Sequence, residues 1–211
     1  MKKFVCLYKS GGDYTEKEVF TLFNQVKANI PVVDQFIVYT DETYKFEGTE
    51  IIAKPLVSTL PKRWAMRELF REKGHVMVTG LDTLIVKDIS WVFDVEIKPN
   101  EFYGMHAWTT EWGNNPMLWN GDWSYLFELY KDEALPQFNR LEQRWTRNKL
   151  NYHKADVKYI DDRGLKLYSY KHHCRGGLPK DADMVIFHGK PRPHKLDNWV
   201  KHYYTKWNNQ S

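Results

Sequence analysis

The stretch His75-Val76-Met77-Val78-Thr79-Gly80-Leu81-Asp82-Thr83-Leu84-Ile85-Val86-Lys87-Asp88-Ile89 decides how this chain reads. Its first apolar run, Val76 to Val78, stops at a glycine and a lone carboxylate, and a second β-branched, apolar run follows from Thr83 to Val86. Short apolar runs bounded by turn residues read as buried strands, so the pattern predicts a strand that ends at Asp82. In open α/β sheets ligands bind in the crevice beyond the carboxyl ends of the strands. An acid placed there faces the crevice, which makes Asp82 the first functional candidate.

The flanking sequence supplies the rest of an α/β domain. Phe4 to Tyr8 is a compact apolar run that turns sharply at Lys9-Ser10-Gly11-Gly12-Asp13-Tyr14. Strand, glycine loop and helix in that order bring backbone N–H groups to a nucleotide. Thr15 and Glu18 have capping-box spacing, and Val19, Leu22, Phe23, Val26 and Ile30 then recur at helical spacing, predicting a helix over 16–29. Gln35 to Tyr39 reads as a second strand ending at Thr40-Asp41-Glu42, where Asp41 can accept hydrogen bonds from a ribose or a base as readily as it can cap a turn. Further strands are expected at 50–53, 101–106 and 184–187, and helices at 60–74, from Asp122, over 138–150 and over 196–207. Val157–Ile160 and Leu165–Tyr168 alternate at period two around Asp161-Asp162-Arg163-Gly164, which reads as a hairpin tip. Ser169 to Cys174 reads as extended, so His172, His173 and Cys174 cannot all face one ion without a tight bend, and a phosphate or acceptor contact from Lys171 or one histidine is expected instead.

Composition bounds the function classes. The chain has 211 residues, enough for one sizeable core. A charged share of 27% beside 42% hydrophobic residues is ordinary, whereas nine Trp and thirteen Tyr are many. Rings with a polar handle suit the faces of sugars and nucleobases, so some are expected to line a groove while most fill the core. The net charge of +4 comes from scattered Lys and Arg, which leaves room for a local phosphate pocket but gives little support for non-specific DNA binding, so a nucleic-acid binder, lacking a dense basic stripe, ranks last among the readings. Two cysteines, Cys6 and Cys174, imply no disulfide framework. The apolar run after Met1-Lys2-Lys3 reaches Lys9 too soon for a signal peptide, and no membrane span is present, so a cytoplasmic protein is expected.

Two segments resemble a known family. Thr79-Gly80-Leu81-Asp82-Thr83-Leu84-Ile85-Val86-Lys87-Asp88-Ile89 resembles the Asp-x-Asp segment of GT-A-type nucleotide-sugar glycosyltransferases, written Leu-Asp-x-Asp-Thr-x-Ile-Val-x-Asp-Ile, with Gly80 in place of the first acid. Phe187-His188-Gly189-Lys190-Pro191-Arg192-Pro193 resembles the late His-x-x-Gly-x-x-Lys-Pro element of glycogenin-type members, in the compressed form of smaller, often phage-encoded relatives. The family's Trp-x-Lys-x-x-x-Phe segment has Met66 at its Lys position here, leaving Arg63 or Arg67 to supply the charge. Trp108 to Trp119 resembles the family's Asn-Ser-x-x-x-x-Trp segment, and Glu142-Gln143 its Asp-Gln step.

The resemblance implies a GT-A-like single domain over 1–211, a mostly parallel sheet with helices on both faces. Residues 1–90 would form the nucleotide half, and 91–211 the acceptor and donor-sugar half. It implies that Asp82 and His188 hold manganese or magnesium, that Gly189 and Lys190 meet the diphosphate, and that Asp41 with Lys9, Ser10 and Tyr14 meets the nucleoside. Asn114 and Asn115 can each donate and accept, as a pattern of sugar hydroxyls requires. Glu142 and Gln143 would orient the acceptor hydroxyl, with Glu142 the base if the reaction inverts. If it retains, the departing phosphate takes the acceptor proton. The expected function is transfer of a hexose from a nucleoside diphosphate, UDP first among them, to the hydroxyl of a glycan, protein or modified base. The alternative is a weak or inactive binder of sugar nucleotides or glycans that keeps the fold, which Gly80 and Met66 both favour.

Overall fold

The computed structural model describes residues 1–108, 112–133 and 142–208. In chain order, β1 (Lys2–Tyr8), α1 (Glu16–Asn29), β2 (Gln35–Thr40), β3 (Ile52–Pro55) and a 3-10 segment (Lys62–Arg71) come first. They are followed by β4 (His75–Val78), β5 (Thr83–Ile85), β6 (Glu101–Met105), β7 (Gly113–Trp119), α2 (Tyr125–Glu128) and α3 (Glu142–Tyr152). The chain continues through β8 (Asp156–Tyr159), β9 (Leu167–Ser169), β10 (Met184–Ile186) and α4 (Trp199–Asn208). Among the described residues the strands form a seven-stranded sheet ordered β3-β2-β1-β4-β7-β6-β8 and a three-stranded sheet ordered β5-β10-β9. The first four strands of the large sheet are mutually parallel, β7 runs antiparallel to β4 and β6, and β8 is parallel to β6. No helix among the described residues is long and apolar enough to cross a membrane.

Strand alternation sorts the core into layers. Phe4, Cys6 and Tyr8 of β1 join Val19, Leu22 and Val26 of α1 on one face of the large sheet. Val5, Ile37 and Val78 join Leu69 and Phe70 of the 3-10 segment and Leu126 and Phe127 of α2 on the other. The small sheet packs Leu84, Val185 and Phe187 against Val200 and Tyr204 of α4. The expected architecture, a mostly parallel sheet covered on both faces, is therefore present. α1 starts at the expected capping box: the Thr15 hydroxyl accepts from the Lys17 N–H at 3.3 Å, and Glu18 Oε2 accepts from the Thr15 N–H at 2.5 Å.

Four local expectations change. The segment after Leu60 is 3-10 rather than α-helical, because a short amphipathic run does not distinguish a repeat of 3.0 from one of 3.6. Asn114 and Asn115, where no strand was expected, lie in strand β7, and the helix expected from Asp122 starts at Tyr125. β8 and β9 are not a hairpin: the turn at 161–164 exists, but β8 pairs with β6 and β9 with β10, in different sheets. Tyr170–Cys174 is a single π-helical turn, not an extended segment. The expected helix start at 138–141 and residues 109–111 of the Trp108–Trp119 segment lie outside the described residues.

One buried acid ties the parallel half together. Glu72, 1% exposed, accepts from the Lys3 ammonium of β1 at 2.9 Å, from the Tyr39 hydroxyl of β2 at 2.8 Å and from the Lys54 ammonium of β3. Its carbonyl accepts from the Trp119 indole of β7 at 3.3 Å. Burial pushes the Glu72 carboxyl up, but these donors outweigh it and hold it below the ordinary value. Removing one member of a buried charge cluster leaves the others unpaired, which costs about 3 kcal/mol or more. Glu72→Ala is thus expected to lower the urea-unfolding free energy by about 3 kcal/mol. A loss below about 1 kcal/mol, the scale of exposed ion pairs, would mean the cluster holds nothing together.

Candidate functional site at the strand ends

Because β1, β2 and β4 are parallel neighbours, their carboxyl ends lie together along one edge of the sheet, the place where open α/β sheets form their ligand crevice. β1 runs into Lys9 and Ser10, and β2 into Asp41. The Ser10 N–H donates to Asp41 Oδ1 at 2.9 Å and its hydroxyl to Oδ2 at 2.8 Å. Burial raises the Asp41 carboxyl, yet the hydrogen bonds from Ser10 outweigh it and hold the group ionised below the usual carboxylate range. The two expected nucleoside contacts are thus one hydrogen-bonded unit.

Asp82 lies in the turn between β4 and β5 rather than on the strand itself. β7 is antiparallel to β4, so its first residues sit beside the end of β4. Asn115 uses this position twice: its Oδ1 accepts from the Gly80 N–H at 3.1 Å, and its Nδ2 donates to Asp82 Oδ1 at 3.2 Å. Burial pushes the Asp82 carboxyl up to about 6, opposed by the Arg192 guanidinium, whose Nη1 is 3.6 Å from Oδ2. Gly80 has no room for a side chain as the site stands, since a Cβ would lie 2.4 Å from Asp82 Oδ1.

The late motif reaches the same crevice from β10. The Phe187 N–H donates to the Asp82 carbonyl at 2.8 Å, continuing the antiparallel pairing of β10 with β5. His188 follows, with Nε2 2.6 Å from Ser169 Oγ and its ring stacked with Trp108 at 5.6 Å and His172 at 5.5 Å. Burial, helped by the charges of Lys171 and His172, lowers the His188 pKa and keeps the imidazole neutral. Gly189 turns with φ +78°, and Lys171 Nζ is 3.0 Å from where its Cβ would stand. Lys190 is exposed. The π-helical turn thus brings Lys171 Nζ beside the turn that follows His188.

Asn114, Glu142 and Gln143 form a second group on the other side of Asn115. Asn114 Nδ2 donates to both Glu142 oxygens, at 2.9 and 2.7 Å, and Asn114 Oδ1 accepts from Gln143 Nε2 at 2.9 Å. Thr146 adds a hydrogen bond to Glu142 Oε1 at 3.2 Å. Burial pushes the Glu142 carboxyl up to about 7 against these donors and the charges of Arg63 and Arg67. Glu142 and Asn114 are each 5% exposed, so the pair lies beneath the surface rather than in the open crevice. Met66 Sδ lies 3.9 Å from Asn114 Nδ2. Arg67 does not supply the charge missing at Met66: it is buried, its Cζ 4.9 Å and 4.0 Å from the Trp64 and Trp145 rings, and its Nη1 donates to the Tyr130 carbonyl at 2.8 Å. Arg63 is exposed.

The residue that sequence reasoning missed is Arg192. Its Nε donates to Asp13 Oδ2 at 2.9 Å and its guanidinium lies 5.0 Å from the Tyr14 ring centre, so Tyr14 reaches the crevice as a platform for this arginine. The available signal was its place between Pro191 and Pro193, within the Phe187–Pro193 stretch. A divalent cation held by Asp82 and His188 does not fit this donor set. One Asp82 oxygen is bonded to Asn115 and the other faces a guanidinium, His188 Nε2 is engaged with Ser169, and no group of three His, Cys, Asp or Glu ligands converges among the described residues.

No family model matches the chain, and no curated protein matches it in sequence. Solved structures do. The glycosyltransferase GlyE of Streptococcus pneumoniae TIGR4 superposes with a TM-score of 0.69 at 8% identity, covering 100% of this chain and 60% of that one. The galactosyltransferase LgtC, solved in complex with donor and acceptor sugar analogues, gives 0.63 at 13% identity over 98% of this chain and 95% of its own. A glycosyltransferase involved in glycosylation of the major capsid of PBCV-1 gives 0.55 at 12% identity over 97% and 100%. The chain thus spans 60% of GlyE and nearly all of LgtC. At these identities the likeness is one of architecture: the chain has the fold of GT-A-type glycosyltransferases.

Proposed function

We propose that this chain is a glycosyltransferase that moves a hexose from a nucleoside diphosphate, UDP, to an acceptor hydroxyl on a glycan, a protein or a modified base. The observation that carries the reading is the hydrogen bond from Phe187 to Asp82, which joins the two motif-bearing stretches at the carboxyl ends of the parallel strands. Ser10 and Asp41, with Lys9 beside them, form the nucleoside end. Gly189 lets backbone approach the diphosphate, and Lys190 and Lys171 supply charge for the leaving group. Asn115 and Gln143, both partly exposed, offer donors and acceptors to sugar hydroxyls, and the buried Asn114 holds Gln143 in place from beneath.

In the transfer the bond between the anomeric carbon and the phosphate oxygen breaks as the acceptor oxygen bonds to that carbon, and the acceptor proton leaves. Glu142 acts here as a positioning residue. With both oxygens bonded to Asn114, it fixes that amide and, through it, Gln143. The proton then goes to the departing diphosphate, which suits retention. The second reading, a sugar-nucleotide or glycan binder without turnover, is favoured by Gly80, whose side-chain space is filled by the Asp82 carboxylate.

Incubation with a panel of UDP-hexoses separates the two: transfer gives slow UDP release by hydrolysis even without acceptor, whereas a binder releases none. Asp41→Ala is expected to weaken UDP binding roughly tenfold, the scale of hydrogen bonds to a charged group. An unchanged affinity would move the nucleoside elsewhere.

Glu142 gives a pH test. Its carboxyl rises from 4.5 to about 7 on folding, so the folded chain holds the proton more tightly. Its contribution therefore favours folding below the unfolded value and is lost as pH rises through about 7, an effect on the order of 3 kcal/mol. Glutamine mimics the neutral acid. Between about pH 5 and about pH 8, Glu142→Gln should gain on the wild type by on the order of 3 kcal/mol in urea unfolding. Parallel pH profiles for the two proteins would show that Glu142 ionises as freely as an exposed acid.

A further inference from the structure

Three separate segments meet at the Arg192 guanidinium. The loop between β1 and α1 gives Asp13, which accepts from Nε at 2.9 Å, and Tyr14, whose ring centre is 5.0 Å from Cζ. The turn between β4 and β5 gives Asp82, with Oδ2 3.6 Å from Nη1. Arg192 itself comes from the turn that follows β10. The side chain keeps 23% of its surface exposed, so it is held from behind and open in front.

A guanidinium has five N–H donors in a rigid fork that matches phosphate oxygens, and the contacts to Asp13 and Asp82 use only Nε and Nη1. Fixed by two carboxylates and a ring before any ligand arrives, it loses little side-chain freedom on binding. Its position also conflicts with a second cation on Asp82 Oδ2, since two positive charges would share one carboxylate oxygen. The acid that could offset them is missing: position 80 is glycine, and the space beside it is filled by Asp82 Oδ1, 2.4 Å from a Cβ built there.

We infer that Arg192, rather than a bound divalent ion, is the positive charge that Asp82 holds for the diphosphate, so that the nucleotide site works without metal. This rests on the nucleotide reading above. Lys171, with Nζ beside Gly189, adds charge on the neighbouring turn.

The test is calorimetric titration of UDP into the full chain, once in EDTA and once in manganese, for wild type, Arg192→Gln and Arg192→Lys, with melting curves to confirm folding. The expected result is wild-type affinity equal within about twofold in the two conditions, lost roughly 30-fold in Arg192→Gln and only partly kept by Arg192→Lys, which has the charge without the fork. If Arg192→Gln does not fold, Asp13→Asn, which removes one anchor of the guanidinium, should weaken UDP several-fold. Wild-type binding that requires manganese overturns the inference and leaves the transferase reading standing. Undiminished affinity in a folded Arg192→Gln, or in Asp13→Asn where that variant has to stand in, also overturns it. Failure of the wild type to bind UDP in either condition removes the nucleotide site and this assignment together.

Discussion

Everything at the crevice depends on the antiparallel pairing of β5 with β10. Met184 sits opposite Ile85 and Ile186 opposite Thr83, and the ladder extends by one more hydrogen bond, from Phe187 to the Asp82 carbonyl. The chain between these strands is long, so closing it costs entropy that the apolar contacts of Leu84, Val185 and Phe187 with α4 must offset. Once closed, the turn that carries Gly80 and Asp82 is anchored at both ends, to the large sheet through β4 and to the small one through β5. A carboxylate held between two sheets has little freedom to move toward or away from a ligand. The same pairing sets His188, Gly189 and Arg192 around it.

Glu72 and Glu142 show how the fold treats two acids of nearly equal burial differently. Glu72 meets two ammonium groups and a phenol hydroxyl, and stays ionised as a fastening for three strands. Glu142 meets an amide and a hydroxyl, with cations only at a distance, and its proton is held to near neutrality. At Glu142, which no cation touches, desolvation prevails over the amide and hydroxyl donors. The first acid belongs to the scaffold, and the second tunes the orientation of two amides at the crevice.

The sequence was most legible where local chemistry settles local structure. The capping box at Thr15 and the apolar runs of β1, β2, β4 and β10 all appear where their patterns place them. β7 was not legible because Gly113-Asn114-Asn115-Pro116 has loop composition; it is a strand only because β4 and β6 lie on either side to pair with it. The pattern around 161–164 was right about the turn and wrong about its consequence, since period-two runs carry no record of which strands they will meet. At the site, Asp82 and His188 could be picked out by their place at strand ends, and Asn115 only by what its amide can donate and accept. Arg192 could not, because its meaning comes from Asp13 and Asp82, which are distant in sequence. The position of Glu142 against Asn114 likewise depends on how α3 meets β7, which neither segment specifies alone.

The order of the large sheet leaves β3 and β8 as its borders. A border strand exposes unpaired backbone groups that invite another chain to continue the sheet. β3 is only four residues long and ends in Pro55, which has no N–H to offer, while its Lys54 is drawn toward Glu72. β8 is equally short and carries Lys158 paired with Asp156 at 2.8 Å. Brevity, proline and charge thus blunt both borders against strand addition. Addition of another chain's strand is disfavoured at both borders of the large sheet, and contacts with other molecules are left to side-chain surfaces.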